Sequence, residues 1–118
     1  MLPLDEKGMN IQIFGKKKCF DTRKAERYFK ERGIRFQSVD LAQKGLSRGE
    51  LESVLASCGG LDAVIDEKNK DFALIHYLTS DAQKEKLLEQ PSFLKTPIVR
   101  NGRLATVGYQ PDVWKNWE

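Results

Sequence analysis

The chain offers few of the side chains on which most active sites are built. It has two cysteines and one histidine in 118 residues. A metal site usually takes three or four Cys, His or carboxylate ligands, and neither Cys19 nor Cys58 belongs to a C-x-x-C or H-x-x-x-H pair. No metal is therefore expected. A Cys–His dyad could be drawn only with His76, and the apolar stretch Phe72–Leu78 gives that histidine the setting of a core or boundary residue. No apolar run approaches the ~18–20 residues of a membrane span. Met1–Asn10 carries Asp5, Glu6 and Lys7 and lacks the apolar centre of a secretory signal. Two cysteines without such a signal are expected to be reduced thiols in the cytoplasm. One-sided charge is also missing: Lys+Arg 20 against Asp+Glu 17 leaves a net of +3, too slight to indicate nucleic acid. The basic residues are not interleaved with aromatics as single-strand binding requires. Neither a membrane nor a nucleic acid is an expected partner.

What is present suits one globular domain. Hydrophobic residues make up 40% and charged residues 31%, and a domain of this length buries roughly two thirds of its unfolded surface without staples. Residues 1–9 read as an N-terminal arm, native or appended, and 10–118 as the domain. Ile11-Gln12-Ile13-Phe14 alternates apolar and polar up to Gly15, as a half-buried strand does. Asp21 or Thr22 is the expected cap of a helix with Ala25, Tyr28 and Phe29 on one face, stopped by Gly33. Arg35–Asp40 reads as a second strand, giving a right-handed β-α-β unit.

Ser47-Arg48-Gly49-Glu50 has the form of a capping box. Leu51, Val54, Leu55 and Cys58 follow at helical spacing up to Gly59-Gly60. Leu61–Gln90 reads as two or three short helices, with a capping signal at Ser80/Gln83, so the helical insertion spans about 47–90. Pro97–Arg100 and Arg103–Val107 flank Asn101-Gly102, a hairpin signal. A last helix starts near Pro111. Phe36, Phe72, Tyr77, Phe93 and Trp114 are expected in the core. The element order is that of an α/β, thioredoxin-like fold with a small mixed sheet.

Chemistry converges on Cys19, in the loop where the first strand passes into the first helix. A helix N-terminus and its free N–H groups favour a thiolate. Arg23 lies one turn on and can approach the sulfur or an anion beside it, while Lys16, Lys17 and Lys18 add positive potential. Thr22, three residues after Cys19, excludes dithiol exchange within the motif. Cys58 shares its helix's apolar face and is best explained as a small hydrophobe. Thr96-Pro97 precedes a predicted strand, and X-Pro is the one bond at which a cis peptide is cheap.

Three segments together resemble the ArsC-like family of the thioredoxin superfamily, which holds arsenate reductases and the Spx transcription regulators. They are Cys19-Phe20-Asp21-Thr22-Arg23, Phe93–Val99, and Gly102-Arg103-Leu104 leading to Val107-Gly108-Tyr109. The resemblance implies that Cys19 is the nucleophile, that Arg23 is the arginine of the cysteine motif, and that Pro97 is a cis-proline facing the cysteine and exposing a backbone edge. Lys18, Thr22, Thr96 and Pro97 then fall where substrate or thiol is bound. In the family's reductases glutathione, with glutaredoxin, regenerates the cysteine. Those enzymes carry further arginines where this chain has Thr96 and Asp66-Glu67-Lys68, and an acidic pair there argues against efficient arsenate reduction. Spx uses a C-x-x-C switch that Thr22 removes.

The expectation is a thiol-dependent oxidoreductase acting through Cys19 and Arg23. It would bind no resident cofactor and take glutathione or another external thiol as reductant. Its partners would be a small-molecule thiol or oxyanion, with glutaredoxin or thioredoxin as protein partners. On this expectation, replacing Arg23 should cost reactivity sharply. The alternatives are a non-catalytic, Spx-like protein-interaction module and a glutathione-binding protein without turnover.

Overall fold

The computed structural model describes residues 9–117. The expected N-terminal arm lies outside the described residues except for Met9, which is buried with Ile11 and Ile13. The folded unit therefore begins at least one residue earlier than the sequence suggested.

Strand β1 (Ile11–Gly15) leads into helix α1 (Phe20–Glu31) and strand β2 (Phe36–Asp40). The insertion holds α2 (Arg48–Cys58), α3 (Leu61–Val64), α4 (Phe72–His76) and α5 (Ser80–Glu89). A short 3-10 turn, Pro91–Phe93, precedes β3 (Ile98–Asn101), β4 (Leu104–Val107) and α6 (Pro111–Lys115). The sheet order is β2-β1-β3-β4, with β1 parallel to β2 and antiparallel to β3, and β3 antiparallel to β4. This is the mixed, four-stranded thioredoxin-like sheet. Among the described residues no helix is long and apolar enough to cross a membrane.

Alternation along the strands divides the core into two layers. Ile11, Ile13 and Val99 face α1 and α6, where Tyr28, Phe29 and Trp114 stack edge to face or tilted at 5.0–5.2 Å between centroids. Trp114 is fully buried, and its indole N–H donates to Thr106 Oγ1 at 2.7 Å. Phe14, Ile98 and Ala105 face the insertion, against Leu51, Val54 and Phe93.

The capping box at α2 forms as the sequence predicts: Ser47 Oγ accepts from Glu50 N, and Glu50 Oε1 accepts from Ser47 N. The other Glu50 oxygen takes a bond from Arg100 Nη1 at 3.2 Å, and the same nitrogen donates to Gln12 at 2.7 Å. One side chain thus ties the start of α2 to two strands.

Several local expectations shift. The residue that caps α1 is Cys19, not Asp21 or Thr22; these two lie in the first turn. Helix α5 is capped by Thr79, whose hydroxyl accepts from Ala82 N, and Gln83 instead donates to Ile75 O. The hairpin turn is Gly102-Arg103, one residue later than Asn101-Gly102, because Asn101 pairs with Leu104. Of the two turn residues only Gly102 has a positive φ, +61°, as fits a turn with glycine first. The strands expected to start at Arg35 and Pro97 start at Phe36 and Ile98. Tyr77 is 84% exposed rather than core. His76 is likewise exposed, on the short helix α4, and Phe36 and Phe72 are half-buried. Helix α4 has little more than one turn and buries only Ile75, which leaves His76 and Tyr77 outside the core.

Candidate active site

Strand β1 ends at Gly15, and the chain then turns so that Cys19 becomes the N-cap of α1. Its N–H donates to Lys16 O at 3.1 Å, and its carbonyl accepts the first helical bond, from Arg23 N, at 3.4 Å. Across from it the Thr96–Pro97 peptide is cis, and Pro97 O accepts from Gly108 N at 2.8 Å. The Cys19 thiol donates to Thr96 O at 3.6 Å. The helix start and the proline turn are thereby brought together over the same sulfur.

An N-cap side chain ordinarily accepts from the N–H groups of the first turn. As a thiol, Cys19 makes no such bond; as a thiolate it can. Burial of the sulfur works against ionisation. That effect is outweighed by hydrogen bonds to the thiolate from the Thr22 and Thr96 side chains and from the backbone N–H groups of Thr22 and Asp21, which hold the thiol below its ordinary value. These bonds favour the ionised sulfur, the form in which a cysteine is nucleophilic.

Cys19 opens into a cleft of about 920 Å³ between the start of α1, the Thr96 turn, the end of α2, and β4 with α6. One side is apolar, with Leu104, Val107, Val113 and Trp117. The other carries Asp66, Glu67, Lys68 and Lys95. Asp66 is paired with Lys16 at 3.6 Å, and Lys16 also donates to Ser92 O at 2.9 Å. No arginine lines the cleft among the described residues.

The residues singled out by sequence divide accordingly. Cys19 and Thr96 line the cleft, and Pro97, next to Thr96, is buried. Thr22 is buried beneath Cys19, where its side chain packs on Gly15 so closely that a Cβ there would meet Thr22 Cγ2 at 2.2 Å. Arg23 is exposed, its guanidinium donating to Lys17 O at 3.5 Å and lying 6.0 Å from the Phe20 ring centre. Lys18 is exposed on the loop. Neither Arg23 nor Lys18 lines the cleft.

Sequence reasoning read Cys58 as a small hydrophobe on its helix's apolar face and missed that it borders the cleft. It lies half-buried in the same cleft, its thiol donating to Ala105 O at 3.5 Å, and burial pushes its pKa up. Its position as the last residue of α2, just before two glycines, was the available signal: the apolar stripe runs out there and the helix end turns toward the cleft.

A sequence model of the ArsC family matches residues 14–117. The chain belongs to the ArsC family. It is similar to the global transcriptional regulator Spx 2 of Oceanobacillus iheyensis, 31% identical over 109 residues, which cover 88% of this chain and 80% of that one. Among solved structures it is similar to an arsenate reductase from Vibrio cholerae, with a TM-score of 0.81 at 22% identity, covering 93% and 98% of the two chains. It also resembles the glutaredoxin-like NrdH-redoxin of Escherichia coli, with a TM-score of 0.51 at 15% identity and 93% and 96% coverage. At those identities the two structural likenesses speak to the fold, which is thioredoxin-like. They leave its chemistry to its own residues.

Proposed function

We propose that this ArsC-family protein is a thiol-dependent oxidoreductase that works through one cysteine, Cys19, with glutathione or another external thiol as reductant. The observation that carries the reading is the placement of Cys19: it is an N-cap sulfur, below its ordinary pKa, opposite a cis-proline turn and open to a cleft. Its thiolate attacks one sulfur of a mixed disulfide R–S–S–R′, forms Cys19–S–S–R and expels R′–S⁻. An external thiolate G–S⁻ then attacks R's sulfur, forms R–S–S–G and returns the Cys19 thiolate. The disulfide R–S–S–G carries the oxidising equivalent away, so the enzyme ends as it began.

The cleft supports an organic thiol or disulfide over a free trianion as the bound species. Its volume falls in the range of roughly 300–1,000 Å³ that holds small organic ligands. Its charged lining has the carboxylates Asp21, Asp66 and Glu67 against the ammonium groups of Lys68 and Lys95, a poor clamp for arsenate. The apolar side formed by Leu104, Val107 and Val113 suits the carbon skeleton of a thiol. Thr96 and Pro97 supply the backbone edge along which it lies. Keeping Cys19 available calls for a reducing compartment such as the cytoplasm.

The test measures whether glutathione disulfide or arsenate protects Cys19 from iodoacetamide, together with reduction of a glutathione mixed disulfide by the Cys19→Ser and Cys58→Ser variants. The reading expects protection by the disulfide, loss of turnover in Cys19→Ser and its retention in Cys58→Ser. Equal turnover in the wild type and Cys19→Ser would overturn it. The likeness to an Spx protein supports a second reading, a protein-interaction module; that reading expects capture of a protein partner to be unaffected by Cys19→Ser.

A further inference from the structure

Positive charge is distributed unevenly along the chain. Residues 16–35 hold nine Lys and Arg against three Asp and Glu, a net of +6 in a chain whose whole net is +3, so the rest carries −3. Within α1 the exposed residues are Phe20, Arg23, Lys24, Arg27, Lys30 and Glu31, a spacing that puts them all on one face. Lys17 and Lys18, exposed on the preceding loop, extend this stripe toward Cys19. Glu31 is the stripe's only acid and lies at the end far from the sulfur.

Folding gains nothing from this arrangement. Lys17, Lys18 and Arg23 crowd the positive end of the helix dipole. Arg23 and Lys24 each set a like charge one turn from Arg27, and such pairs repel. Local acids do not cancel them: Asp21 lies 3.9 Å from Lys24, and Glu26 is bonded to Ser38. Among the described residues Lys17, Lys18, Arg27 and Lys30 enter no ion pair. The stripe does not serve the sulfur either, because none of its cations lines the cleft. At the cysteine end Phe20 is 75% exposed, with the Arg23 guanidinium 6.0 Å from its ring centre, and Lys24 lies 5.7 Å from that of Tyr109. Exposed aromatics among charges are the usual anchors of a protein interface.

We propose that this face of α1 docks an acidic protein whose cysteine, held in a mixed disulfide with a small thiol, is thereby delivered to Cys19. The inference rests on the proposed function and identifies R′ in it: R, the small thiol, lies in the cleft, and R′ is the acidic protein on α1. The Cys19 thiolate attacks R's sulfur, and the bond between R and the protein breaks. The protein's cysteine leaves as a thiolate with both electrons of that bond and takes a proton from water. The external thiol then releases R from Cys19 as a disulfide. Charge complementarity selects an acidic face, and the sulfur beside the stripe selects a partner that carries sulfur, which a nucleic acid does not. Arg23, turned away from Cys19, acquires its place on this surface.

The experiment uses three peptides that differ only in the residues flanking one glutathionylated cysteine: glutamate, glutamine or lysine. The native protein reduces each with glutathione in excess, and kcat/KM is divided by the uncatalysed rate for the same peptide. At low salt the acidic peptide should exceed the neutral one by roughly tenfold, and the advantage should fade at high salt. Lys24→Glu with Arg27→Glu should erase the preference. Lys44→Glu with Lys70→Glu, the same change in net charge at exposed sites outside α1, should keep it. The salt dependence of the wild type tests the inference even if a variant folds poorly. Equal values for the three peptides at low salt, or equal loss of preference in both double variants, would overturn the docking surface and leave Cys19 as the nucleophile. Equal values together with capture of an oligonucleotide that Lys24→Glu/Arg27→Glu loses would also overturn it, in favour of a nucleic acid. Failure to reduce any of the peptides would overturn the proposed function, and this inference with it.

Discussion

The two cysteines occupy one cleft and behave in opposite ways. Cys19 begins a helix and Cys58 ends one. At the start of α1 the unpaired backbone groups are N–H donors and the helix dipole is positive; at the end of α2 they are carbonyls and the dipole is negative. Cys19 therefore meets donors and falls below its ordinary pKa, while Cys58 finds the carbonyl of Ala105 and burial pushes it up. The same residue type is pushed one way by donors at a helix start and the other way by burial at a helix end. That carbonyl is already served by Ser57, whose hydroxyl donates to Ala105 O at 3.0 Å and accepts from Ala105 N at 2.8 Å. Ser57 thereby closes the open edge of β4, and the Cys58 bond is supplementary.

The contrast can be broken most severely at Cys19 itself. Cys19→Ser should abolish reduction of a glutathione mixed disulfide, whereas Cys58→Ser should leave its rate within a small factor of the wild type. Next in size, Gly15→Ala should cost about 1–3 kcal/mol by overpacking against Thr22 and slow Cys19 alkylation as well, because it displaces the side chain beneath the sulfur; chemical denaturation and labelling read the two effects. Ser57→Ala unpairs the Ala105 N–H, leaves Ala105 O only the Cys58 thiol, and should cost about 1 kcal/mol. It should speed labelling of Cys58 and leave Cys19 unchanged.

Smaller still is the effect on alkaline stability. The folded state holds the Cys58 proton longer than the unfolded chain does, so above the ordinary thiol value the unfolded form ionises first and stability falls as pH rises. Cys58→Ala should flatten that decline. Cys19 has the opposite sign: its contribution is fully present above the ordinary value and is lost as pH falls through its lowered folded value. Unfolding midpoints from pH 7 to 10 should separate the variants in opposite directions. The smallest effect expected is that of Arg23→Ala on the Cys19 alkylation midpoint, since its guanidinium is engaged by Lys17 O and Phe20. This replaces the sharp loss expected from the sequence, and a shift of about one pH unit or more would restore Arg23 to the sulfur.

Where a local rule had one solution, the residues declared the structure. Ser47 and Glu50 specify a capping box, Ile11 and Ile13 a buried face, and Gly33 a helix stop, and each stands where expected. The misplacements occur where two residues competed. Asp21 and Thr22 are better oxygen caps than a cysteine, yet the strand turn delivers Cys19 to that position. Asn101-Gly102 is the stronger turn pair, but pairing of Asn101 with Leu104 moves the turn by one. Tyr77 follows an apolar pattern over a segment too short to bury it. At the site, Cys19 was legible as a residue at a strand–helix junction. The convergence of Cys58 on the same cleft, the burial of Thr22 and the turning away of Arg23 depend on tertiary packing that no local spacing encodes.

The central claim is that helix position and neutral donors single out Cys19, and the most direct test sets the two cysteines against each other in one tube. The native protein is pulsed with iodoacetamide across pH 5 to 10, quenched, and each cysteine peptide is quantified. The account predicts two separate profiles: Cys19 alkylated well below the pH at which an ordinary thiol reacts, and Cys58 above it. Overlapping profiles at the ordinary value, or Cys58 reacting first, would contradict it.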